Sequence, residues 1–378
     1  MDFGFGVDHE LLRDTTRRFL TEHQSLDEVR RHLEDPDTFD AATWRRGAEL
    51  GWAAMLIPSE HGGGSVTDQP LIDLMVLAEE LGRELNPGPL VPCSVVADAI
   101  TRFGTDFQTK EYLPRLASGD IAASWCLSGD GSPEAEAIEV AANFDGDVWR
   151  LDGVARYVHN AANAAVFLVV ARHGDDIVNI LVPSSVGGLT VVPHKGLDLT
   201  RRYFEVRLEG AEIPAAALIC GGRELVERGL ALATVLQAAE SIGAADHLFE
   251  VTVDYAKKRV QFGRPIGSFQ ALKHRMADML IEVEGMRAAT YYAALALGDD
   301  FEDSAQAVAT AGAYVFDTFA HFCGEALQLH GGIGFTWEHD VHLFVRRAKV
   351  NQVLYGDGPW HRETLVRLLE RTAPEGRA

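Results

Sequence analysis

The residue pattern of this chain changes character twice along its length, and this change constrains the fold more than any single motif. From residue 1 to about 115, apolar side chains recur at the spacing of helices. From 121 to about 220, the apolar runs are short, rich in valine and separated by turn residues, as in strands. After Gly222, helical periodicity returns in longer runs. The pattern predicts an α+β multidomain chain with an N-terminal helical domain, a middle small β-barrel or sandwich, and a C-terminal four-helix bundle.

The points where the pattern changes set the expected domain boundaries. We predict a helical domain at 1–116, a β domain at 117–221 and a helical bundle at 222–378. Five strands are predicted in the β domain, at 138–142, 147–151, 165–171, 177–182 and 203–208. Four helices are predicted after Gly222, at about 224–259, 269–297, 302–329 and 360–371.

Charge and cysteine usage argue against several classes of function. The 378 residues carry a formal net charge of −22, which disfavours nucleic acids and anionic membrane surfaces as partners. The sequence has no uncharged apolar run of about 18 residues and no basic-then-apolar leader, so we expect neither a membrane span nor export. The four cysteines are scattered without a CxxC pair, which fits reduced thiols in a cytoplasm and argues against a metal site.

The segment from Arg259 to Gln270 joins two predicted helices through a glycine- and proline-containing turn. Ser268 is predicted to cap the second of these helices. Arginine, free backbone N–H groups and a helix N-terminus together suit a bound diphosphate. On the residues alone, an ordinary corner between two helices is the alternative. A second segment, Gln328-Leu-His-Gly-Gly-Ile-Gly-Phe335, follows a predicted helix, and its glycines either admit a ligand to the backbone or simply end that helix.

Both segments resemble signatures of the acyl-CoA dehydrogenase family. The first matches Arg-x-x-Phe-Gly-x-Pro-Ile-x-x-Phe-Gln, and the second resembles Gln-x-x-Gly-Gly-x-Gly-Phe. The order of helical, β and helical-bundle parts is also the family layout, so the resemblance covers essentially the whole chain. In the family these motifs hold the FAD of a neighbouring subunit, which implies an oligomer. Transferred position by position, the resemblance implies that FAD is contacted by Arg259, Phe262, Gln270, Gln328, Gly331 and Gly332.

The β domain departs from the family pattern. The family's Thr-Glu-Pro-x-Ala-Gly-Ser-Asp is replaced by the shorter Ser128-Gly-Asp-Gly-Ser-Pro133, where Ser128 keeps a hydroxyl and Ser132 replaces the phosphate-contacting serine. The family's Trp-Ile-Thr-Asn, which lies against the flavin ring, is Tyr157-Val-His-Asn160 here. The resemblance implies that Tyr157 stacks on the flavin and that His159 donates to its polar edge. A surface position for His159 is the alternative.

The residues expected to carry the reaction are missing from this chain. In the family a carboxylate removes the proton α to the thioester carbonyl, and the β-hydrogen leaves as hydride to the flavin. The glutamate of the family's Tyr-Glu-Gly-Thr is Gly356 here, and its threonine is Gly358. The other base position of the family aligns with Ala233.

Two nearby carboxylates could substitute for the missing base. Asp357 lies one residue from the standard place, where it either acts as the base or serves as a solvated turn residue or helix cap. Glu240 follows Ala233 by seven residues on one helix, and we interpret it as a buried structural glutamate.

Three functional hypotheses follow from the resemblance. The first is an FAD-dependent acyl-CoA dehydrogenase subunit, with electron-transfer flavoprotein as the expected electron acceptor. In one version Asp357 is the base. In the version we favour, the chain is the base-less partner of a glutamate-bearing paralogue in an α2β2 heterotetramer, as in some bacterial members that act on steroid-derived CoA thioesters. A homo-oligomer remains open. The second hypothesis is a flavin-dependent oxidase or monooxygenase, and the third is a scaffold that has lost FAD.

Overall fold

The computed structural model describes residues 6–35, 39–130 and 132–372, and it forms two compact units. The first unit comprises residues 1–74 and 87–233, and the second comprises 75–86 and 234–378. Two helices pass from one unit into the other, α4 (Pro70–Arg83) and α7 (Gly222–Lys258). The domain boundaries predicted at 116 and 221 stay predictions, because both lie inside the first unit.

The first unit contains helices and a single β-sheet. Its remaining helices are α1 (Val7–His23), α2 (Leu26–Arg31), α3 (Ala41–Glu49), α5 (Leu90–Phe103) and α6 (Asp106–Ala117). Its strands are β1 (Ala122–Cys126), β2 (Ala141–Phe144), β3 (Val148–His159), β4 (Ala164–His173), β5 (Asp176–Pro183), β6 (Leu189–His194), β7 (Tyr203–Pro214) and β8 (Leu218–Ile219).

The strand order explains the burial of the sheet. The hydrogen-bonded path runs β6-β7-β3-β2-β4-β5-β8, and β1 pairs in parallel with β4. Because β4 has neighbours on both sides, its residues from Val166 to Ala171 are all buried, which accounts for its continuous apolar run. All five predicted strands have counterparts, but β2 begins at Ala141, so the first three residues predicted for it lie before the strand.

The second unit is helical apart from a short hairpin. Its hairpin strands are β9 (Val260–Gln261) and β10 (Arg264–Pro265), and its further helices are α8 (Gln270–Gly298), α9 (Ser304–His330), α10 (Val341–Asn351) and α11 (Gly358–Thr372). The backbone of α7 approaches residues 75–86 so closely that a Cβ at Gly243 would collide with the Glu79 carbonyl. Glycine is therefore required at this crossing of helices.

Two local expectations differ from the structure. Ser268 was expected to cap α8, but it ends a 3₁₀ turn at Ile266–Ser268, and its Oγ donates to the Pro265 carbonyl at 2.7 Å. The cap position is Phe269, whose side chain makes no capping bond. The hydroxyl is used within the turn, so it is not available to the helix. Helix α10 was not predicted, although Val341, Phe344 and Ala348 are buried at helical spacing.

The fold class is confirmed by this arrangement, with helices first, a β-sheet in the middle and a helical C-terminal part. Among the described residues, every helix is too short or too polar to cross a membrane.

Candidate cofactor site

The hairpin after α7 presents Phe262 to solvent. The turn between β9 and β10 consists of Phe262 at φ 51° and Gly263 at φ 76°, the left-handed pair that a two-residue hairpin turn requires. The Phe262 side chain is 92% exposed. A left-handed conformation is unfavourable for phenylalanine, and an exposed ring gains nothing from burial. This geometry suits a ring that is covered by a second molecule.

The polar residues of the same segment lie beside that ring. Arg259 is exposed, and its backbone ties the hairpin to α7, since its N–H donates to the Tyr255 carbonyl and its carbonyl accepts from Ile266, both at 2.8 Å. Gln270 is exposed at the first position of α8. Arg264 stacks on the Phe269 ring with its guanidinium carbon 4.1 Å from the ring centre. The segment thus offers the exposed guanidinium of Arg259 and the exposed amide of Gln270 next to a helix N-terminus.

The second motif lies at the C-terminal end of α9. Gln328 is exposed in the last turn of that helix, and Gly331 ends it at φ 64°. A Cβ built on Gly331 or Gly332 would meet no atom within 4 Å in the described chain. The backbone there is open to a ligand, and Phe335 beside it is 72% exposed.

One aromatic contact joins the two motifs. Tyr255, one turn before Arg259, stacks on the His330 ring with 4.6 Å between centroids and 24° between planes. Its hydroxyl also donates to the His330 carbonyl at 3.2 Å. His330 stands between Gln328 and Gly331, so this pair fixes the two motifs relative to each other within the second unit.

The site residues predicted in the β domain lie in the first unit, where Ser128 follows β1 and both Tyr157 and His159 lie at the end of β3. His159 is buried, and its Nε2 donates to the Pro87 carbonyl at 3.1 Å, so the surface alternative for this residue is wrong. Its own carbonyl accepts from Ser124 Oγ at 2.7 Å. Tyr157 has φ 56°, and its partly exposed ring lies 4.9 Å from that of His194. Tyr157, the residue expected to stack on the flavin, is therefore exposed to solvent. His159, the residue expected to donate to the flavin, already uses its Nε2 in the hydrogen bond to Pro87.

Ser128 has an unsatisfied hydroxyl. The residue is 3% exposed, and its Oγ has no hydrogen-bond partner among the described residues. A buried hydroxyl without a partner is unfavourable by about 1–3 kcal/mol, so a ligand atom placed there would be stabilised. Ser132, by contrast, accepts from the Glu134 N–H at 3.2 Å and is used within its own turn.

The position of the family's glutamate is closed by the chain itself. Gly356 has φ 109°, and a Cβ there would lie 2.5 Å from Cε3 of the Trp360 indole. A Cβ at Gly358 would collide with the carboxylate of Asp317 from α9. At Gly356 both the backbone and the indole oppose a larger residue, whereas at Gly358 a larger residue would require the Asp317 carboxylate to shift.

Asp357 caps the last helix. It is half-buried, and its Oδ1 accepts from the Trp360 N–H at 2.8 Å, which is the N-cap contact of α11. The structure thus shows the capping arrangement, and a catalytic role for Asp357 remains only a hypothesis. The turn before it is held by Gln237 Nε2, which donates to the carbonyls of Asn351 at 2.8 Å and Leu354 at 3.1 Å.

Two features beside this turn were not visible in the sequence. Asp317 accepts from Gln352 Nε2 at 2.7 Å and Arg362 at 3.0 Å; although burial opposes it, these bonds lower the pKa of the carboxyl. His361 is 1% exposed, and desolvation lowers the pKa of its imidazole to about 4, against the opposing effects of Asp357 and of a hydrogen bond with the Gly356 backbone.

The alternative base positions carry no exposed acid. Ala233 is fully buried at the end of the first unit, and Glu240 is buried in α7 within the second, as expected for a structural glutamate. Ala233 cannot accept a proton. In the described residues, the segment expected to hold the base therefore presents one half-buried carboxylate, that of Asp357, and it is already hydrogen-bonded.

The sequence of this chain is similar to those of known proteins. The chain matches the models of the acyl-CoA dehydrogenase N-terminal domain over residues 7–120 and the acyl-CoA dehydrogenase C-terminal domain over 221–369. It is 34% identical to the acyl-CoA dehydrogenase IpdE2 of Mycolicibacterium smegmatis, over 96% of this chain and 97% of that one.

Two solved structures are similar over nearly their whole length. A chain of the ChsE4–ChsE5 complex from Mycobacterium tuberculosis has 26% identity and a TM-score of 0.89, over 99% of this chain and 100% of that one. A chain of a variant of the Tcur3481–Tcur3483 steroid ACAD has 29% identity and a TM-score of 0.86, with 96% and 98% covered.

Proposed function

The chain belongs to the acyl-CoA dehydrogenase family, and from this premise we propose that it completes the FAD site of a glutamate-bearing partner in an α2β2 heterotetramer. Such an assembly converts an acyl-CoA thioester into its trans-2-enoyl-CoA. The observation that carries the proposal is the closed position at Gly356, where φ 109° and the Trp360 indole exclude the family's base. The proposed task of this chain is to bind and orient, and the proton is removed by the partner.

The residues present fit FAD. Ser128 has a buried hydroxyl without a partner in the described chain, and the backbone at Gly331 and Gly332 is open. Bound FAD supplies the hydride acceptor for the β-hydrogen. Arg259 and Gln270 offer charge and hydrogen bonds to its diphosphate, and exposed Phe262 offers an apolar face.

We propose that the predicted FAD contacts belong to two different FAD molecules of the assembly. We assign Arg259, Phe262, Gln270, Gln328, Gly331 and Gly332 to the partner's FAD. Ser128, Tyr157 and His159 are assigned to an FAD bound by this chain itself.

Relatives support the heteromeric version and the kind of substrate. The ChsE4–ChsE5 structure is a complex of two named chains, and the Tcur3481–Tcur3483 protein is named a steroid ACAD. We therefore propose a bulky, steroid-derived acyl-CoA as substrate. Three of the four cysteines are buried free thiols, which fits the proposed cytoplasmic location. Electron-transfer flavoprotein is the proposed acceptor of the electrons.

Co-expression tests this proposal. The chain purified alone should hold little FAD and show weak dehydrogenase activity, and both should rise when it is co-expressed with a glutamate-bearing paralogue. FAD per chain is measured by absorbance after denaturation. Full FAD occupancy with fast turnover by the lone chain would overturn the partner role. Rapid reaction of the reduced flavin with oxygen would instead favour an oxidase or monooxygenase.

A further inference from the structure

His330 occupies the junction of the two segments assigned to the cofactor. Its ring is stacked on Tyr255 from α7, and its carbonyl accepts the Tyr255 hydroxyl. The His339 ring also contacts it in an edge-to-face arrangement, with 4.7 Å between centroids and 65° between planes. A Cβ at Gly334 would approach the His330 Cβ to 3.1 Å, so the glycine loop folds back onto this residue. The stack and the hydrogen bond with Tyr255 thus tie the residue from which this loop starts to α7.

The hydrogen bonds of the ring define its protonation state. Nδ1 lies 2.8 Å from the Ala326 carbonyl, which can only accept, so Nδ1 carries the proton. Nε2 is buried and has no hydrogen-bond partner among the described residues. The residue as a whole is 3% exposed. The site thus accommodates a neutral imidazole, and within the described part of the chain no acceptor faces a second N–H.

We propose that His330 is a positioning residue for FAD, which holds the end of α9 and the glycine turn after it, residues Gln328–Gly332, against Tyr255 only while its imidazole is neutral. This inference rests on the proposed function, because it concerns the same cofactor. It adds two residues, His330 and Tyr255, and a proton dependence that the family resemblance does not supply.

Protonation breaks the arrangement for a simple electrostatic reason. A charged ring would place an unpaired N–H at Nε2 in a buried position, which is strongly unfavourable. Among the residues that the structure describes, two titratable groups have rings in contact with it, the phenol of Tyr255 and the imidazole of His339. Burial lowers the pKa of His330, the Ala326 bond opposes this, and His339 lowers it further. On acidification the ring leaves the stack, and the loop at Gly331 is released.

FAD affinity against pH tests the inference on the purified heteromeric holoenzyme. Flavin fluorescence gives the Kd for FAD between pH 7.5 and 5.5, where we expect the wild-type Kd to rise at least fivefold. His330→Asn keeps a donor for the Ala326 carbonyl but cannot gain a proton. Because asparagine cannot stack on Tyr255, its Kd should already be raised about fivefold at pH 7.5 and should remain flat on acidification. Tyr255→Phe should raise the Kd about fivefold at every pH, the effect of one lost hydrogen bond.

A second variant and a control keep the test decisive if His330→Asn fails to fold. His339→Asn removes the neighbouring charge, so FAD release should begin at higher pH than in wild type. His321→Asn changes an exposed histidine of the same helix and should leave the profile unchanged. A pH profile that is identical in wild type, His330→Asn and His339→Asn would overturn the inference. Failure of the proposed function looks different, since the co-expressed complex would then hold no FAD at any pH.

Discussion

Gly356 lies against the indole of Trp360 so closely that a Cβ at Gly356 would approach the ring to 2.5 Å, and its φ of 109° is a glycine conformation. A glutamate at position 356 would therefore be strained by both the backbone and the indole. We predict that Gly356→Glu leaves the lone chain without dehydrogenase activity and lowers its Tm.

Alanine variants separate the two causes of that strain, which are the positive φ of the backbone and the contact with Trp360. Gly146 has φ 110° and no neighbour within 4 Å of a Cβ, so Gly146→Ala carries the conformational penalty alone, about 1–2 kcal/mol. Gly356→Ala adds the clash with Trp360 and should lose at least 1 kcal/mol more in urea unfolding. Equal losses in the two variants would show that Trp360 does not close the position.

The His361 ring packs directly against the backbone of Gly312 in α9. A Cβ at Gly312 would lie 2.5 Å from Cε1 and Nε2 of that ring. Gly312→Ala should therefore destabilise the chain by about 1–3 kcal/mol, measured by urea unfolding. Gly324 lies on the same helix with nothing within 4 Å, so Gly324→Ala should be neutral or stabilising by up to about 1 kcal/mol. The opposite order of the two variants would contradict the packing.

His361 makes stability depend on pH. The pKa of its imidazole is about 4 in the folded chain, because burial disfavours the cation, against an ordinary value of 6.5. The unfolded chain binds the extra proton below pH 6.5, so this contribution to stability is lost as pH falls from about 6.5 to 4. The slope approaches 1.4 kcal/mol per pH unit. Urea unfolding across this range should show a shallower slope for His361→Gln than for wild type, and equal slopes would refute the assignment.

Phe262 should matter for assembly and not for the folded chain. Its ring is 92% exposed, so Phe262→Ala should change the free energy of unfolding of the lone chain by less than about 0.5 kcal/mol. The same variant should weaken FAD binding by the co-expressed complex at least tenfold. Phe107, exposed on α6, supplies a control, since Phe107→Ala should alter neither quantity. An unchanged FAD affinity with Phe262→Ala would argue against a cross-subunit contact.

Much of the fold could be predicted because long periodic segments carry strong signals. The first bundle helix was expected at about 224–259 and spans Gly222–Lys258. Short elements were missed: β1 has only five residues, two of them alanines, and α10 has eleven residues with three cations. Local patterns of this length do not separate a helix or strand from a loop.

Part of the candidate site could likewise be predicted from the sequence, and part could not. The empty base position is visible in the sequence at Gly356, and the exposed motif residues follow from the resemblance. The closure by Trp360, the capping role of Asp357 and the stack between Tyr255 and His330 depend on contacts and side-chain rotamers. These contacts form only when separate segments pack together, so the spacing of residues in the sequence does not predict them.

The central claim is that this chain does not supply the base, and Asp357 is the residue that decides it. Asparagine caps a helix as well as aspartate does, so Asp357→Asn keeps the bond to the Trp360 N–H and removes only the basicity. The decisive measurement is kcat of the co-expressed complex carrying Asp357→Asn in this chain. We predict a kcat within threefold of wild type, whereas loss of a catalytic base would lower it by at least a hundredfold and would contradict the account.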